Sequence, residues 1–272
     1  MDLSILTDPI FRLPLLVGLL LACVLPLLGA VLMLRGEWLA ALGFAHLAAA
    51  GALLALAMGL PALSGGLAAA AGGAFAKGAG RVSGNMAYGF MILGGWASLL
   101  LIAANSAHGE MLGNALVQGQ LYFAGPVDLA GAVLLALTSA IALPWLMPRL
   151  LRARLLPHHE AANRLPAWRW HLGFDLLVAG GMAVATASMG LMAAFALVLV
   201  PAWIAFRTAI GWRRTLAWSS LIGLLAYLTA FTAALLLDQP FGPSVVMVLL
   251  LCASGSLALT TRRKGSGQGH AD

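Results

Sequence analysis

LPLLVGLLLACVLPLLGAVLMLRGEWLAALGFAHLAAAGALLALAMGL, residues 13–60, consists of two apolar runs parted at Arg35. A bilayer core takes about 20 apolar residues in helical form, because every backbone N–H and C=O must find its partner within the segment. Runs 13–34 and 39–60 both meet that length, so the stretch reads as a hairpin of two membrane-crossing helices. Comparable runs follow at 86–104, 127–146, 173–188, 191–206, 216–237 and 245–260, with a weaker Ala/Gly-rich one at 62–76. Composition agrees: 62% of residues are hydrophobic and 9% charged, against about a quarter charged in soluble domains, and mean hydropathy is +0.97. The predicted fold is all-α, a polytopic helical bundle of about nine crossings forming one transmembrane domain over residues 1–272.

Charge sets the orientation. With the N-terminus outside and nine crossings, Arg35, Lys77, Arg81, Arg149, Arg152, Arg154, Arg164, Arg169, Arg207, Arg213, Arg214, Arg262, Arg263 and Lys264 all fall in the cytoplasm. Arg12 alone stays outside. Short cytoplasmic loops carry the excess of basic residues, and leaving out 62–76 would put Arg35 and Arg81 on opposite faces. Trp38, Trp145, Trp168, Trp170, Trp212 and Trp218 form a belt near the inner surface, where an indole suits the headgroup level. The pI of about 10.2 follows from topology and anionic headgroups. The basic residues form no stripe and no recognition module, so nucleic acid is excluded as a partner.

Cys23 and Cys252 lie in apolar runs without paired spacing, which gives neither a disulfide framework nor a thiolate metal site. Asp2 and Asp8 stand where a cleavable signal would be basic, and the first apolar run is too long for one. Asp128, Asp175 and Asp238 lie near segment ends and read as interfacial caps. Gly72–Gly73, Gly94–Gly95 and Gly180–Gly181 permit close helix approach.

The longest polar stretch, about 150–172, falls on the cytoplasmic side. Within it Pro157 and Pro166 bracket His158, His159, Glu160, Ala161, Ala162, Asn163 and Arg164, which predicts a short surface helix over 158–164. That helix either lies on the headgroups or docks a cytoplasmic partner. A tail over about 262–272 reads as disordered. Outside, 105–126 mixes His108, Glu110, Asn114, Gln118 and Gln120 with apolar residues, a composition fit to cap a cavity or receive a soluble protein. Inside the membrane His46 stands out, eleven residues or about 16 Å along the helix from Arg35. An ionisable side chain at that depth marks a pathway or a partner, and the alternative is a neutral imidazole bonded to a backbone carbonyl. Its own helix offers no second metal ligand at i+3 or i+4.

Arg35 to Gly51, with Ala45-His46 followed by small residues, resembles the Leu-Ala-His-Ala...Gly stretch of the permease subunits of zinc and manganese ABC importers. Gly190-Leu-Met-Ala-Ala-Phe-Ala-Leu-Val-Leu-Val-Pro201-Ala202 and Phe241-Gly242-Pro243-Ser244 are similar to later motifs of that family. Gly119 and Asp128-Leu129 agree more weakly. The resemblance covers most of 35–257. It implies an all-helical permease of the bacterial inner membrane that pairs with a second copy and with two cytoplasmic ATPase subunits. A soluble metal-binding protein delivers the cation to its outer face.

By the same resemblance His46 lines the metal pathway, His158–Arg164 is the ATPase-coupling helix, and His108, Glu110 and Gln118 belong to the outer face or gate. Gly51, Gly190, Pro201, Gly242 and Pro243 are structural. In the coupling helix the small Ala161 and Ala162 would face a groove of the ATPase while Glu160 and Arg164 offer rim charges.

Two departures matter. Leu42 occupies the position, four before His46, where the family carries an acid, and Gly84-Asn85 lacks the acid often found there. Without a carboxylate the site loses the hard oxygen ligand manganese prefers, and imidazole suits zinc better. Zinc therefore comes first, then manganese or iron.

The chain has no Gly-x-x-x-x-Gly-Lys-Ser/Thr, so ATP and magnesium belong to a partner polypeptide and the chain is no enzyme itself. The alternatives are a siderophore or cobalamin ABC permease, then a secondary transporter, which usually shows related halves. A membrane-embedded enzyme comes last, since only His158-His159-Glu160 approaches a catalytic set and its spacing is wrong.

Overall fold

The structure, a computed structural model, describes residues 9–80, 84–156 and 158–266; for Ala161 and 259–266 it describes the backbone alone. Eleven α-helices follow one another among these residues: α1 (Arg12–Arg35), α2 (Leu39–Ala57), α3 (Ala62–Ala79), α4 (Asn85–Ala104), α5 (Gly109–Gln118), α6 (Pro126–Leu155), α7 (His159–Ala162), α8 (Trp168–Met189), α9 (Leu191–Thr208), α10 (Trp212–Leu236) and α11 (Phe241–Ser266). Short 3₁₀ turns precede α1 and α6. The chain is a multi-pass helical membrane bundle.

Among the described residues, eight helices are long and apolar enough to cross a membrane. The helix α3 has 18 residues, yet its five glycines and Lys77 keep it from being apolar enough to count with them. Consecutive long helices alternate in direction. Arg35 at the end of α1 and Lys77 at the end of α3 both reach Asp175 near the start of α8, while the α8–α9 turn at Gly190 lies at the opposite end against Gly119. Arg12 is the one arginine or lysine described at that opposite end. The other we call the basic end.

Two helix groups make the bundle. In one, α2 packs on α3 and α4; in the other, α1 packs on α9, α10 and α6, with α11 against α9 and α10. Between them α8 touches α1, α2, α3, α6 and α9. Apolar side chains drive no association against lipid tails, so close backbone approach and interhelical hydrogen bonds hold such a bundle. A Cβ on Gly51 would lie 2.3 Å from the Gly65 carbonyl oxygen, and one on Gly65 would lie 2.1 Å from that of Gly51. Of the paired glycines, Gly73, Gly95 and Gly181 meet a neighbouring helix, whereas Gly72, Gly94 and Gly180 face open space. Ser219 donates to the Pro26 carbonyl at 2.8 Å, and the Tyr227 hydroxyl lies 3.2 Å from the carbonyls of Pro14 and Leu15.

Several boundaries differ from the sequence reading. The helix α6 runs to Leu155, past the Arg149 and Arg152 that had suggested a loop, and α8 starts at Trp168, before the expected 173. A helix outlasts the hydrocarbon where its basic side chains reach the headgroups. The backbone of α11 continues through Ser266, into the stretch expected to be a disordered tail. Residues 267–272, Arg81 and Pro157 lie outside the described residues. The surface helix expected over 158–164 is shorter. Arg164 adopts φ 48°, the Leu165 N–H returns to the Glu160 carbonyl at 3.0 Å, and the Asn163 side chain bonds the His159 carbonyl at 2.8 Å. Together these close α7 after Ala162.

Candidate functional site

At the basic end the fold gathers four charges from three stretches that are far apart in sequence. The Arg35 guanidinium donates to Asp175 Oδ1 at 2.9 Å and to Glu37 Oε2 at 2.7 Å. Lys77 Nζ donates to Asp175 Oδ2 at 2.8 Å, to Glu37 Oε2 at 3.1 Å and to the Tyr88 hydroxyl at 2.6 Å, which satisfies all three of its protons. Tyr88 in turn donates to Glu37 at 3.2 Å. Side chains of Arg35, Lys77 and Asp175 are about nine-tenths buried, so each charge depends on its partners instead of on water. Asp175 is therefore no interfacial cap. The set is neutral, two cations against two carboxylates, and a divalent ion added to it would stand uncompensated at low dielectric. It is an ionic tie, not a metal site.

A cavity of about 720 Å³ opens beside this tie, lined by Phe75, Leu150, Arg154, Trp168, His171 and the tie itself. Beyond it lies α7. His158, Ala162, Asn163 and Arg164 are exposed, while His159 and Glu160 are half-buried. Glu160 turns away from the surface where a rim charge was expected. Its Oε1 accepts the Trp170 indole N–H at 2.7 Å and its Oε2 lies 3.2 Å from His171 Nε2, which ties α7 to the first turn of α8.

His46 is 7% exposed in the middle of α2. Its Nδ1 lies 2.8 Å from the Leu42 carbonyl oxygen, which makes Nδ1 the protonated nitrogen and leaves Nε2 with its lone pair. Leu42 thus supplies a backbone oxygen to the ring where an acid was expected to supply a carboxylate to a metal. The ring also packs on Trp96 of α4, centroids 5.4 Å apart. Among the described residues no three His, Cys, Asp or Glu side chains gather as a metal cluster.

At the opposite end α5 is an amphipathic helix that packs on α2, α4, α8 and α9. His108, Glu110 and Gln118 are exposed there. His108 lines a cavity of about 390 Å³ with Asn105, Ser106 and Leu112. From His46 to the end of α2 at Ala57 is about three turns or 16 Å, so the fold does not bring His46 together with these residues. Gly119, Gly190 and Gly242 form a joint at this end. A Cβ on Gly119 would lie 1.9 Å from the Met189 carbonyl oxygen, and one on Gly242 would lie 1.9 Å from that of Gln118. Pro243 sits in the first turn of α11, where no N–H is required, and Pro201 is buried inside α9. Asp128 does cap its helix, accepting the Gly125 N–H at 2.9 Å and the Ser188 hydroxyl at 3.1 Å.

Nearby, burial and Asp238 push the Tyr122 phenol up to about 12. It stays protonated at any physiological pH.

Sequence reasoning missed Glu37 and Tyr88 and counted Arg35 and Lys77 only as loop flanks. The available signal was that Glu37 and Asp175 are acids at the same end as the basic flanks, where each lies within reach of a cation once the helices are threaded.

The profile of the ABC 3 transport family matches residues 8–260. No curated protein matches the sequence. Among solved structures, PsaBC from Streptococcus pneumoniae in complex with Fab is similar with a TM-score of 0.78 at 18% identity, over 93% of this chain and 92% of that one. A second structure, described as an inward-facing conformation of a metal-chelate type ABC transporter, is similar with a TM-score of 0.71 at 16% identity, over 92% of this chain and 85% of that one. At these identities the two likenesses are of fold.

Proposed function

This chain belongs to the ABC 3 transport family, and on that premise we propose that it is the permease subunit of an ATP-driven importer of divalent metal ions, zinc first. The observation that carries this reading is the family match over nearly the whole described bundle, joined to a sequence with no phosphate-binding loop of its own. ATP is then bound and hydrolysed by partner subunits at the basic end, read as cytoplasmic, where α7 presents its exposed face. A soluble metal-binding protein delivers the ion to the α5 end. The ion passes between two copies of the chain, and His46 Nε2 offers it one neutral nitrogen ligand in each. A lone imidazole holds a divalent ion weakly, which suits a site that must release its cargo.

The test is ATPase stimulation of the reconstituted complex by zinc, manganese or iron. Zinc is expected to stimulate most, and His46→Gln to weaken that response at least about tenfold, or ~1.4 kcal/mol. Parental zinc transport in His46→Gln would make His46 a core residue and move the pathway to the surroundings of His108 and Glu110.

A second reading, a metal-chelate permease, is favoured by Leu42 at the acid's position and by the description of the second solved structure. A chelated metal brings its own ligands. Stimulation by ferric siderophore or cobalamin, with no response to free zinc, selects that reading.

Topology is checked separately. With Cys23 and Cys252 replaced, a cysteine at Met111, 63% exposed, is expected to react with an impermeant maleimide from outside, and one at Ile210, 86% exposed, only from inside. Labelling of both from one face sinks the orientation and the placing of the ATPase.

A further inference from the structure

The ionic tie and the Glu160 contacts lie one helical turn apart on α8. Resting on the reading of α7 as the ATPase-docking helix, we propose that the first two turns of α8 are the transmission strut of the transporter, with Glu160 joining α7 to the strut and Asp175, a positioning residue, joining the strut to α1 and α3.

Four residues form α7, far below the length at which a helix holds itself, so its attachment decides where it sits. Besides its contacts with the end of α6, α7 is attached through the Glu160 carboxylate, held by Trp170 at 2.7 Å and facing His171 at 3.2 Å. His171 and Asp175 are four positions apart and share a face of α8. From Asp175 the contacts continue at 2.9 Å to Arg35, the last residue of α1, and at 2.8 Å to Lys77 in the last turn of α3. Lys77 extends them to Glu37, ahead of α2, and to Tyr88 in the first turn of α4. One polar chain, with no gap wider than a helical turn, thus leads from α7 to the basic ends of four helices.

Stiffness and room are both present. Hydrogen-bonded ion pairs are strong in a low dielectric, and parting them leaves buried charges without partners, so α8 cannot shift at this end without carrying α1 and α3 or breaking from them. The cavity of about 720 Å³ between α3, α6 and α8 leaves space for such a shift. At its other end α8 is pinned by the Gly119–Gly190 contact. A push on α7 therefore swings the basic end of α8 about a fixed opposite end.

Spatial continuity alone does not establish coupling, and non-additivity does. Metal uptake and ATP hydrolysis are measured in the same vesicles for Glu160→Ala, Asp175→Asn and the double variant, with retention of the ATPase followed by co-purification. Each single variant is expected to lower uptake per ATP hydrolysed about tenfold, inside the usual span of coupling between sites. The double variant is expected to be no worse than the worse single one, because a chain breaks once. Multiplied losses in the double variant overturn the proposal. Should Asp175→Asn not be recovered folded, Glu160→Ala decides alone, since it leaves the ionic tie intact, and parental uptake per ATP in it overturns the proposal. Ala162→Trp separates the two readings. If it releases the ATPase while Glu160→Ala and Asp175→Asn remain fully coupled, docking stands and the strut falls; if it binds and couples as the parent does, docking at α7 falls and the strut with it.

Discussion

Alanine at Gly190 is expected to leave little folded permease. Gly190 sits at φ 88° and ψ 159°, a region essentially closed to residues with a Cβ and costing about 1–3 kcal/mol when forced. Space forbids it as well. The added carbon would lie 2.4 Å from the Gly119 nitrogen and 2.5 Å from its Cα, and these are backbone atoms that no rotamer change can move. Gly119 has little room to yield, because it stands at φ 91° itself and lies so close to the same turn that a Cβ built on it would lie 1.9 Å from the Met189 carbonyl oxygen. The remaining escape is to lift α5 off the α8–α9 turn, which gives up its packing on α8 and α9. Set against a total stability of about 5–15 kcal/mol, the combined loss is large. Thermal unfolding in detergent, followed by size-exclusion chromatography, is the measurement. Gly180→Ala is the control, since a Cβ there meets nothing within 4 Å. Equal midpoints for Gly190→Ala and Gly180→Ala would show that the joint relaxes freely and that Gly190 is dispensable.

How much of this was legible before the structure depends on the range of the interaction involved. Runs of apolar residues decide which segments can enter a bilayer, so the predicted starts at Leu39 and Leu191 coincide with those of α2 and α9. The lengths of α6 and α8 were misread because arginine and histidine looked like loop chemistry, although a helix carries them comfortably once it reaches the headgroups. Of the ionic tie, the sequence offers only acids placed at the same end as the basic flanks, not the pairing of Asp175 with Arg35 and Lys77. Its contacts span 40, 98 and 140 residues, and nothing local to Asp175 distinguishes a capping carboxylate from the centre of a buried network. Glu160 failed for the opposite reason. It lies in an evident surface helix, and only the fold shows that the helix turns this one side chain back toward Trp170 and His171. His46 falls in the middle of α2, yet the partner of its ring is a carbonyl four residues earlier, an interaction any helix offers and sequence cannot rank against a metal.

Lys77→Met should cost about 3–5 kcal/mol, the usual loss when one partner of a buried ion pair is removed. Methionine keeps most of the aliphatic stem, so the loss is electrostatic. Glu37 and Asp175 then share the single cation of Arg35, and one carboxylate is left to face low dielectric or to take up a proton. Tyr88 loses its shortest contact at the same time. The converse change is the sharper part. Lys77→Met combined with Asp175→Leu removes one charge of each sign and leaves Arg35 and Glu37 at 2.7 Å as a neutral pair. Replacement of a buried pair by apolar residues of similar size is often nearly neutral for stability, so most of the lost unfolding midpoint should return. Transport should not return with it, because the strut of α8 no longer holds α1 and α3. A permease that is stable again, still binds its ATPase and hydrolyses ATP without uptake would separate what the tie does for folding from what it does for coupling. Recovery of both stability and uptake in the double variant would mean that the charges serve the fold alone, and parental stability in Lys77→Met would mean that water already reaches them.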